Sequence, residues 1–466
     1  MSTIISPDIC PAMPDVAAAR LPPALLIANF ADVHPPLSLD QSAIEAARCY
    51  FCHDAPCVAA CPTAIDIPGF IRAIASGNLA GAGQRILSAN ILGGTCARVC
   101  PTDSLCQGAC VRRTQQNQPV AIGALQRVAT DHVLARAQAT GSHPFTRAAP
   151  SGRRIAVVGA GPAGLACAHT LSRAGHEVTI FDAKPKPGGL NEYGIAAYKM
   201  ADDFAAREVA FILGIGGITL HPGQTLGDDL DLASLRDEFD AVFLAIGQAG
   251  VNALTIPGET RANVLNAVDF IADLRQAELS RVAIGRRVVV IGGGNTAIDA
   301  ATQALRLGAD LVTIAYRRGR TEMSATGDEQ TWALTNGVAL RLWSAPVAIE
   351  GDEAVRAVRF ARTRLDTDGQ LKLTGEHFTL EADMVLKAVG QTLAKHPPQM
   401  DACPLPQIVG GRIAVDPLTR ETSVPGIFAG GDCIAGADLT VQAVEDGKRA
   451  AAGIIGFLAA GATPHG

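Results

Sequence analysis

No apolar run in this chain reaches the roughly 20 residues that a bilayer-spanning helix needs. Its first stretch, Met1 to Asp15, lacks the basic start and apolar core of a secretory signal, so a cytosolic, membrane-free protein is expected. Positive charge is not in excess: 39 Lys and Arg stand against 45 Asp and Glu, a net charge of −6. That balance argues against nucleic acid and against anionic membranes as partners. Aromatic residues are few, at 4%, while glycine is plentiful at 48 residues. Close helix–strand contacts and tight phosphate-binding turns use such a composition. No cysteine lies between Cys167 and Cys403, which excludes a closely spaced redox pair in the middle of the chain.

Cysteine is concentrated elsewhere. Eight of the twelve fall between Cys49 and Cys110, and in a reducing compartment such a cluster is a metal site before it is a disulfide framework. The first run is Cys49, Cys52, Cys57 and Cys61 followed by Pro62; the second is Cys96, Cys100 followed by Pro101, then Cys106 and Cys110. In ferredoxin-type runs the cysteine before proline ligates the other cluster. By that analogy Cys61 crosses to a second cluster and one cysteine of the second run returns, giving two 4Fe–4S clusters. Structural zinc and unligated buried thiols are the alternatives, but zinc sites usually pair short spacings on separate knuckles. Cys167, Cys403 and Cys433 are single and are expected to be packing residues.

At 466 residues the chain has room for about three domains. The first forty residues are Pro-rich and expected to lie extended over another surface. Ser38 to Gln41 has capping-box spacing, opening a helix that runs to about Cys49, and an apolar helical stretch covers Pro68 to Leu92. A linker of small polar residues, Ala137 to Ser151, follows. Thereafter strand, glycine turn, helix and strand recur twice, from Arg154 to Phe181 and from Arg287 to Tyr316. The fold class expected is α/β: two doubly wound dinucleotide-binding domains preceded by an α-helical iron–sulfur domain. The boundaries are 1–150 for the cluster domain, 151–285 and 396–466 for the first nucleotide domain, and 286–395 for the second, inserted in the first.

In the first motif Gly159 permits the turn, Gly161 lets the backbone approach a pyrophosphate, and Gly164 lets the helix, opened by Pro162 and Ala163, pack on the strand. Asp182 ends the next strand, where a carboxylate binds ribose hydroxyls. A bare glycine-rich turn without ligand would not need that acid in register. The tail identifies the ligand as FAD: Gly431 and Asp432 follow a strand, and Thr440 to Gln442 open a helix whose N-terminus faces a reduced flavin. The second motif, Gly292, Gly294, Asn295, Thr296 and Ala297, has no acid at the ribose position. Arg317 and Arg318 stand there instead and point to the 2′-phosphate of NADP, unless they are solvated surface residues. With no dithiol near the flavin, electrons have one evident way out, through the clusters.

Together these motifs resemble the NAD(P)H-oxidising half of dihydropyrimidine dehydrogenase, in many bacteria a separate PreT-type subunit. The match spans residues 39 to 455 and is most specific from Ala47 to Asp131, in Cys57 to Pro62, Asp66 to Ile71, Thr95 to Thr102 and Ile122 to Arg127. The related glutamate synthase small subunit, the alternative reading, has a longer gap before its fourth cysteine. The resemblance implies one cluster held by Cys49, Cys52, Cys57 and Cys110. It implies a second held by Cys61, Cys100, Cys106 and the side-chain oxygen of Gln126, with Cys96 unligated. It also implies FAD contacts from Gly188, Gly189 and Leu190 and from a basic residue at Lys199. Asp182, commonly glutamate in that family, and Lys199, commonly arginine, are mild departures. Subunits of this type are usually NADH-dependent, which the arginine pair opposes. The function implied is electron input from NAD(P)H, through FAD and both clusters, to an FMN and iron–sulfur (PreA-type) partner in a hetero-oligomer that reduces uracil or thymine. No side-chain acid or base is required of this chain.

Overall fold

The computed structural model describes residues 15–393 and 405–461, and Cys10 and Cys403 lie outside them. The chain divides into two compact units. One comprises residues 34–192, 202–250 and the segment from 392 on; the other comprises the residues up to 33, 193–201 and 251–391.

The cysteine-bearing unit begins with helices. Ser38 caps the helix Leu39–Ala47 in the expected box, its hydroxyl accepting from Gln41 N while the Gln41 side chain accepts from Ser38 N. The stretch expected as one helix is two, Ile67–Ala75 and Leu79–Ala89, because the chain turns at Gly77 with φ +78° and Asn78 caps the second. The helix Ile122–Thr140 runs into the expected linker and stops at Gly141, which takes the left-handed conformation. Ile65, Ile67, Phe70, Ile71, Ile86 and Leu125 form the core here, and Cys49, Cys57, Cys61, Cys106 and Cys110 pack against it.

The same unit holds a five-stranded parallel sheet ordered Ile427–Ala429, Ala241–Leu244, Arg154–Val158, Glu177–Asp182, Ile218–Pro222. The strand from the tail completes it, as expected. Strand order reverses between Arg154–Val158 and Ala241–Leu244, the crevice where doubly wound sheets bind ligands. The helix Thr440–Ala459 lies along the helix Pro162–Arg173. Gly447 makes that approach possible, since a Cβ there would stand 2.2 Å from the Ala163 carbonyl oxygen.

The other unit contains a second parallel sheet, ordered Ala339–Arg341, Leu311–Ala315, Arg287–Gly292, Met384–Ala388, Val264–Asn266. A three-stranded antiparallel meander runs from Ser344 to Glu381. The N-terminal segment belongs here and not with the helical region. Val16–Ala17 pairs with Ile284–Gly285, Arg20 Nε donates to Ile284 O, and Asn29 donates to Arg306 O. The polar side chains of this Pro-rich segment thus find backbone partners that hold it down.

A histidine pair is sealed inside the cysteine-bearing unit. His143 stacks on Phe211 at 4.6 Å and lies 5.6 Å from His169, whose Nε2 has no partner. Burial, then His143 and Arg173, push His169 down to about 3. The unfolded chain, with an ordinary histidine near 6.5, therefore binds more protons below that pH, and folding stability falls as pH drops from about 6.5 toward 3. Thermal unfolding followed between pH 7 and 5 should show this loss, and His169→Phe should flatten it; an equal slope in the variant would remove His169 as the cause.

Candidate functional site

Two sets of thiols converge from distant parts of the chain. Cys49, Cys52, Cys57 and Cys110 line one partly open pocket, walled by Ile67, Ile71 and Ile122. Cys57 is pushed up to about 11 by burial and by Cys110 and Cys49 beside it. Cys106 rises to about 12 through burial and Cys61. Cys100 rises through its hydrogen bond with Cys96, its burial, and the neighbouring Cys106 and Cys61. The pocket gathers Cys49, Cys52, Cys57 and Cys110, while Cys61, Cys100 and Cys106 act on one another, with Cys57 also acting on Cys106. Among the described residues, no three Cys, His, Asp or Glu side chains are grouped closely enough to hold a single metal ion.

Cys96 and Gln126 differ in their commitments. Cys96 is buried, accepts from Asn90 Nδ2 at 3.2 Å and is bonded to Cys100. Gln126 is 6% exposed and donates its amide to Gly93 O at 2.7 Å, which leaves the carbonyl oxygen of that side chain without a hydrogen bond.

At the first glycine turn, Gly159 has φ +109°, and a Cβ there would stand 2.2 Å from Ala245 O, across the crevice. A Cβ at Gly164 would strike Gly159 O at 1.9 Å, and one at Gly189, φ +55°, would strike Gly161 Cα at 2.7 Å. The Gly188–Gly189 turn thus lies directly on the Gly161 turn with Gly188 N donating to Ala160 O, and Leu190 beside it is 40% exposed. Asp182 accepts from Ala160 N at 2.6 Å and Lys184 N at 2.7 Å, while burial raises its carboxyl. Gly431 sits against Ala163, and burial, with Asp438, raises Asp432 to about 6. Thr440 Oγ1 donates to Asn191 Oδ1 at 2.9 Å. The Asn191 amide nitrogen has no partner although the residue is 2% exposed, an orphaned donor that a cofactor's acceptor would satisfy. Gln442 is turned toward Asp446, donating to it at 3.1 Å. The cradle fits a dinucleotide.

Lys199 is engaged by carboxylates of its own unit. Its ammonium is clasped by Asp299 at 2.8 Å and Glu329 at 2.6 Å, and these carboxylates raise its pKa against the opposing effect of burial. Two of its three N–H donors are thereby committed.

The second glycine turn repeats the logic of the first. A Cβ at Gly292 would stand 2.2 Å from Ala388 O, and one at Gly293 would stand 2.5 Å from the Tyr316 ring. Gly294 opens the helix Asn295–Arg306; Asn295 Oδ1 accepts from Thr326 N, Thr296 is half-buried and Ala297 fully buried. Arg317 and Arg318 follow the strand Leu311–Ala315, their carbonyls accepting from Thr363 Oγ1 and Trp343 N. Their backbone is therefore fixed, and neither guanidinium has an ion-pair partner among the described residues.

The pyridine nucleotide-disulphide oxidoreductase model matches residues 153–447, and the model for dihydropyrimidine dehydrogenase domain II with its 4Fe–4S cluster matches residues 26–138. The chain belongs to the pyridine nucleotide-disulphide oxidoreductase family. Among similar proteins, the NADPH glutamate synthase small chain of Azospirillum brasilense is 33% identical over 464 residues, 96% of this chain and 95% of that one. The NAD-dependent dihydropyrimidine dehydrogenase subunit PreT of Escherichia coli is 35% identical over 431 residues, 92% and 98% of the two chains. FprA of Mycobacterium tuberculosis shares the fold, with TM-score 0.57 and 21% identity over 66% of this chain and 85% of that one. This family member is an NAD(P)-dependent flavin oxidoreductase carrying a 4Fe–4S domain. None of its described helices is long and apolar enough to cross a membrane.

Sequence reasoning passed over two residues of this neighbourhood, Asn191 and Glu208. Glu208 had a signal, a charge within the apolar stripe Phe204, Phe211, Ile212; Asn191, after the Gly-Gly-Leu turn, had none. The place of Lys199 is testable. Lys199→Met should destabilise the protein by about 3–5 kcal/mol, because Asp299 is left buried without its cation, while FAD content and the flavin spectrum stay unchanged. Loss of flavin from a still-folded variant would return Lys199 to the cofactor.

Proposed function

We propose that this chain is the electron-input subunit of a dihydropyrimidine dehydrogenase, oxidising NAD(P)H and passing electrons to an FMN and iron–sulfur partner that reduces uracil or thymine. The observation that carries this reading is the presence, in one chain, of two dinucleotide folds without a nearby dithiol and two separate thiol sets. When bound, FAD takes a hydride and 4Fe–4S clusters carry electrons one at a time. The work of this chain's residues is to bind, orient and set charge. Gly159 to Gly164 and Gly188 to Leu190 receive the FAD pyrophosphate on bare backbone, Asp182 takes the ribose, and Asp432 with the N-terminus at Thr440 takes the flavin side. Gln442 completes that helix turn. Gly292 to Ala297 receive the nicotinamide dinucleotide, and Arg317 with Arg318 take a 2′-phosphate. Cys49, Cys52, Cys57 and Cys110 hold one cluster. Cys61, Cys100, Cys106 and Gln126 hold the other, supported by the unbonded Gln126 oxygen and by the engagement of Cys96 with Asn90. The division of labour follows, with residues 34–150 toward the clusters, 151–192, 202–250 and the segment from 392 on toward FAD, and the unit of residues up to 33, 193–201 and 251–391 toward the nicotinamide.

A glutamate synthase small subunit is the second reading, favoured by the equally extensive likeness to the Azospirillum protein, named NADPH-dependent. The two readings part on the partner. Added FMN-binding subunit should restore NAD(P)H-dependent uracil reduction that this chain alone lacks; dihydrouracil formed by the chain alone, or no gain with that subunit, would overturn the first reading.

Anaerobically purified chain should carry one FAD with about eight iron and eight sulfide, as two cubanes require; iron near four would refute two clusters. Replacing Arg317 and Arg318 by alanine should raise KM for NADPH roughly ten- to a hundred-fold, since a charge-assisted phosphate contact is worth about 1.5–3 kcal/mol. KM for NADH should change little, and equal effects on both would show that the arginines lie away from the 2′ position.

A further inference from the structure

We infer that Glu208 is a positioning residue of the electron path, fixing the short helix on which Gln126 and Cys100 lean to the fold that binds the flavin. This rests on the two-cluster reading above. Glu208 lies in the middle of the helix Phe204–Leu213 and is fully buried. A carboxylate there is costly unless its oxygens are met by donors, and each is. Oε1 accepts from Gly94 N at 2.9 Å and Thr95 N at 3.0 Å, and Oε2 accepts from the Thr95 hydroxyl. Those two amides belong to the first turn of the helix Gly93–Val99, whose N-cap, Leu92, offers no side-chain acceptor. Glu208 therefore supplies from another element the cap that this helix lacks. Burial lifts its carboxyl to about 7, and these donors, with Arg98, oppose the rise.

The contact is close and clamped. A Cβ at Gly94 would stand 2.5 Å from the Phe204 ring. One turn on, Arg98 lies over that ring at 3.4 Å while bonded to Asp131 and to Gly94 O. What the clamp holds is the support of the second thiol set. Gly93 O receives the Gln126 amide and so decides which way the Gln126 oxygen points. Cys100 caps the other end, its N–H on Cys96 O. On its far side the helix Phe204–Leu213 packs against Pro162–Arg173, which opens at the first glycine turn. A leucine at 208 would supply adhesion alone; a carboxylate with three directed bonds supplies register.

The test uses the full chain purified anaerobically with flavin and clusters in place. Electron paramagnetic resonance of the reduced protein gives the cluster signals, and the one lost in Cys106→Ser marks the second cluster. Glu208→Ala should broaden or shift that signal and its midpoint potential. It should also slow electron passage from NAD(P)H-reduced flavin to the clusters at least tenfold, with flavin content and the other signal unaltered. Glu208→Gln, whose carbonyl still accepts from both amides, should restore the signal. An unaltered signal and rate in Glu208→Ala, or a glutamine variant no better than alanine, would overturn the inference. Should Glu208→Ala fail to retain clusters, Thr95→Val decides: a broadened or shifted second-cluster signal with the other signal unaltered upholds the role, and an unchanged one overturns it. A wild-type chain with one cluster signal would instead refute the two-cluster reading, before any variant is made.

Discussion

The cysteine-bearing unit depends on two helices coming closer than side chains allow. Where Pro162–Arg173 meets Thr440–Ala459, Gly447 faces the Ala163 carbonyl, and any larger residue would force the pair apart. The consequence reaches in both directions. The chain's last strand and helix are delivered onto the first sheet, so that Gly431, Asp432 and Thr440 arrive beside the turn that starts with Gly159. Helix Pro162–Arg173, fixed on that side, presents its other side to Phe204–Leu213 and through it to the cysteine helices. A glycine with no chemistry of its own therefore sets how the first glycine turn, the tail residues Asp432 and Thr440 and the thiol sets stand to one another.

Several buried charges sit where elements join. Arg420 pairs with Asp446 at 2.9 Å where the tail crosses the sheet, and the other Asp446 oxygen accepts from Gly431 N. Lys199 with Asp299 and Glu329 anchors the segment 193–201 to the helix Asn295–Arg306. Such pairs seldom add stability over apolar packing, since desolvating each ion costs several kcal/mol. What they add is direction. An apolar joint tolerates sliding, whereas a buried carboxylate satisfied by two named amides does not. That this fold places its buried ions between elements accords with a protein whose task is holding electron carriers at fixed separation.

Much of this was legible in the sequence because the determinants are local. A strand, a glycine turn and a helix within 25 residues give the dinucleotide fold without knowledge of the rest, and both turns, the capping box at Ser38 and the returning tail stand where spacing put them. Legibility failed where a distant partner decides. Lys199 follows the Gly188–Gly189 turn in the chain, yet Asp299 and Glu329, a hundred or more residues on, claim its charge. The Pro-rich start reads as a segment extended over another surface; which surface is set by Ile284 and Arg306, whose carbonyls accept its polar groups, and part of it is the helix Pro23–Asn29. The helix from Pro68 to Leu92 broke at Gly77, within the exposed triplet Ser76, Gly77 and Asn78, whose glycine stop and asparagine cap are a local signal that the apolar flanks overrode in the reading.

The thiol sets are the hardest case, because their membership crosses the runs in which the cysteines are written. Cys110 lies more than fifty residues from Cys57, yet both line one pocket. The link is made by neighbours that carry no sulfur. Arg48 bonds to the carbonyls of Gln118 and Pro119 and to Glu45, and Glu45 in turn accepts from Ala121 N. From the other run Arg112 reaches back to the Arg48 carbonyl and lies over the Tyr50 ring at 4.1 Å. These bonds tie the residues just before Cys49 to those just after Cys110. The second run is tied down separately, Gln107 accepting from Gly123 N at the start of the helix that bears Gln126. Cysteine spacing points to metal chemistry; the arginine and glutamine clasps decide which stretches of the two runs lie side by side. Such clasps leave no periodic mark, because each is a single polar side chain whose partner is a backbone atom on the other run.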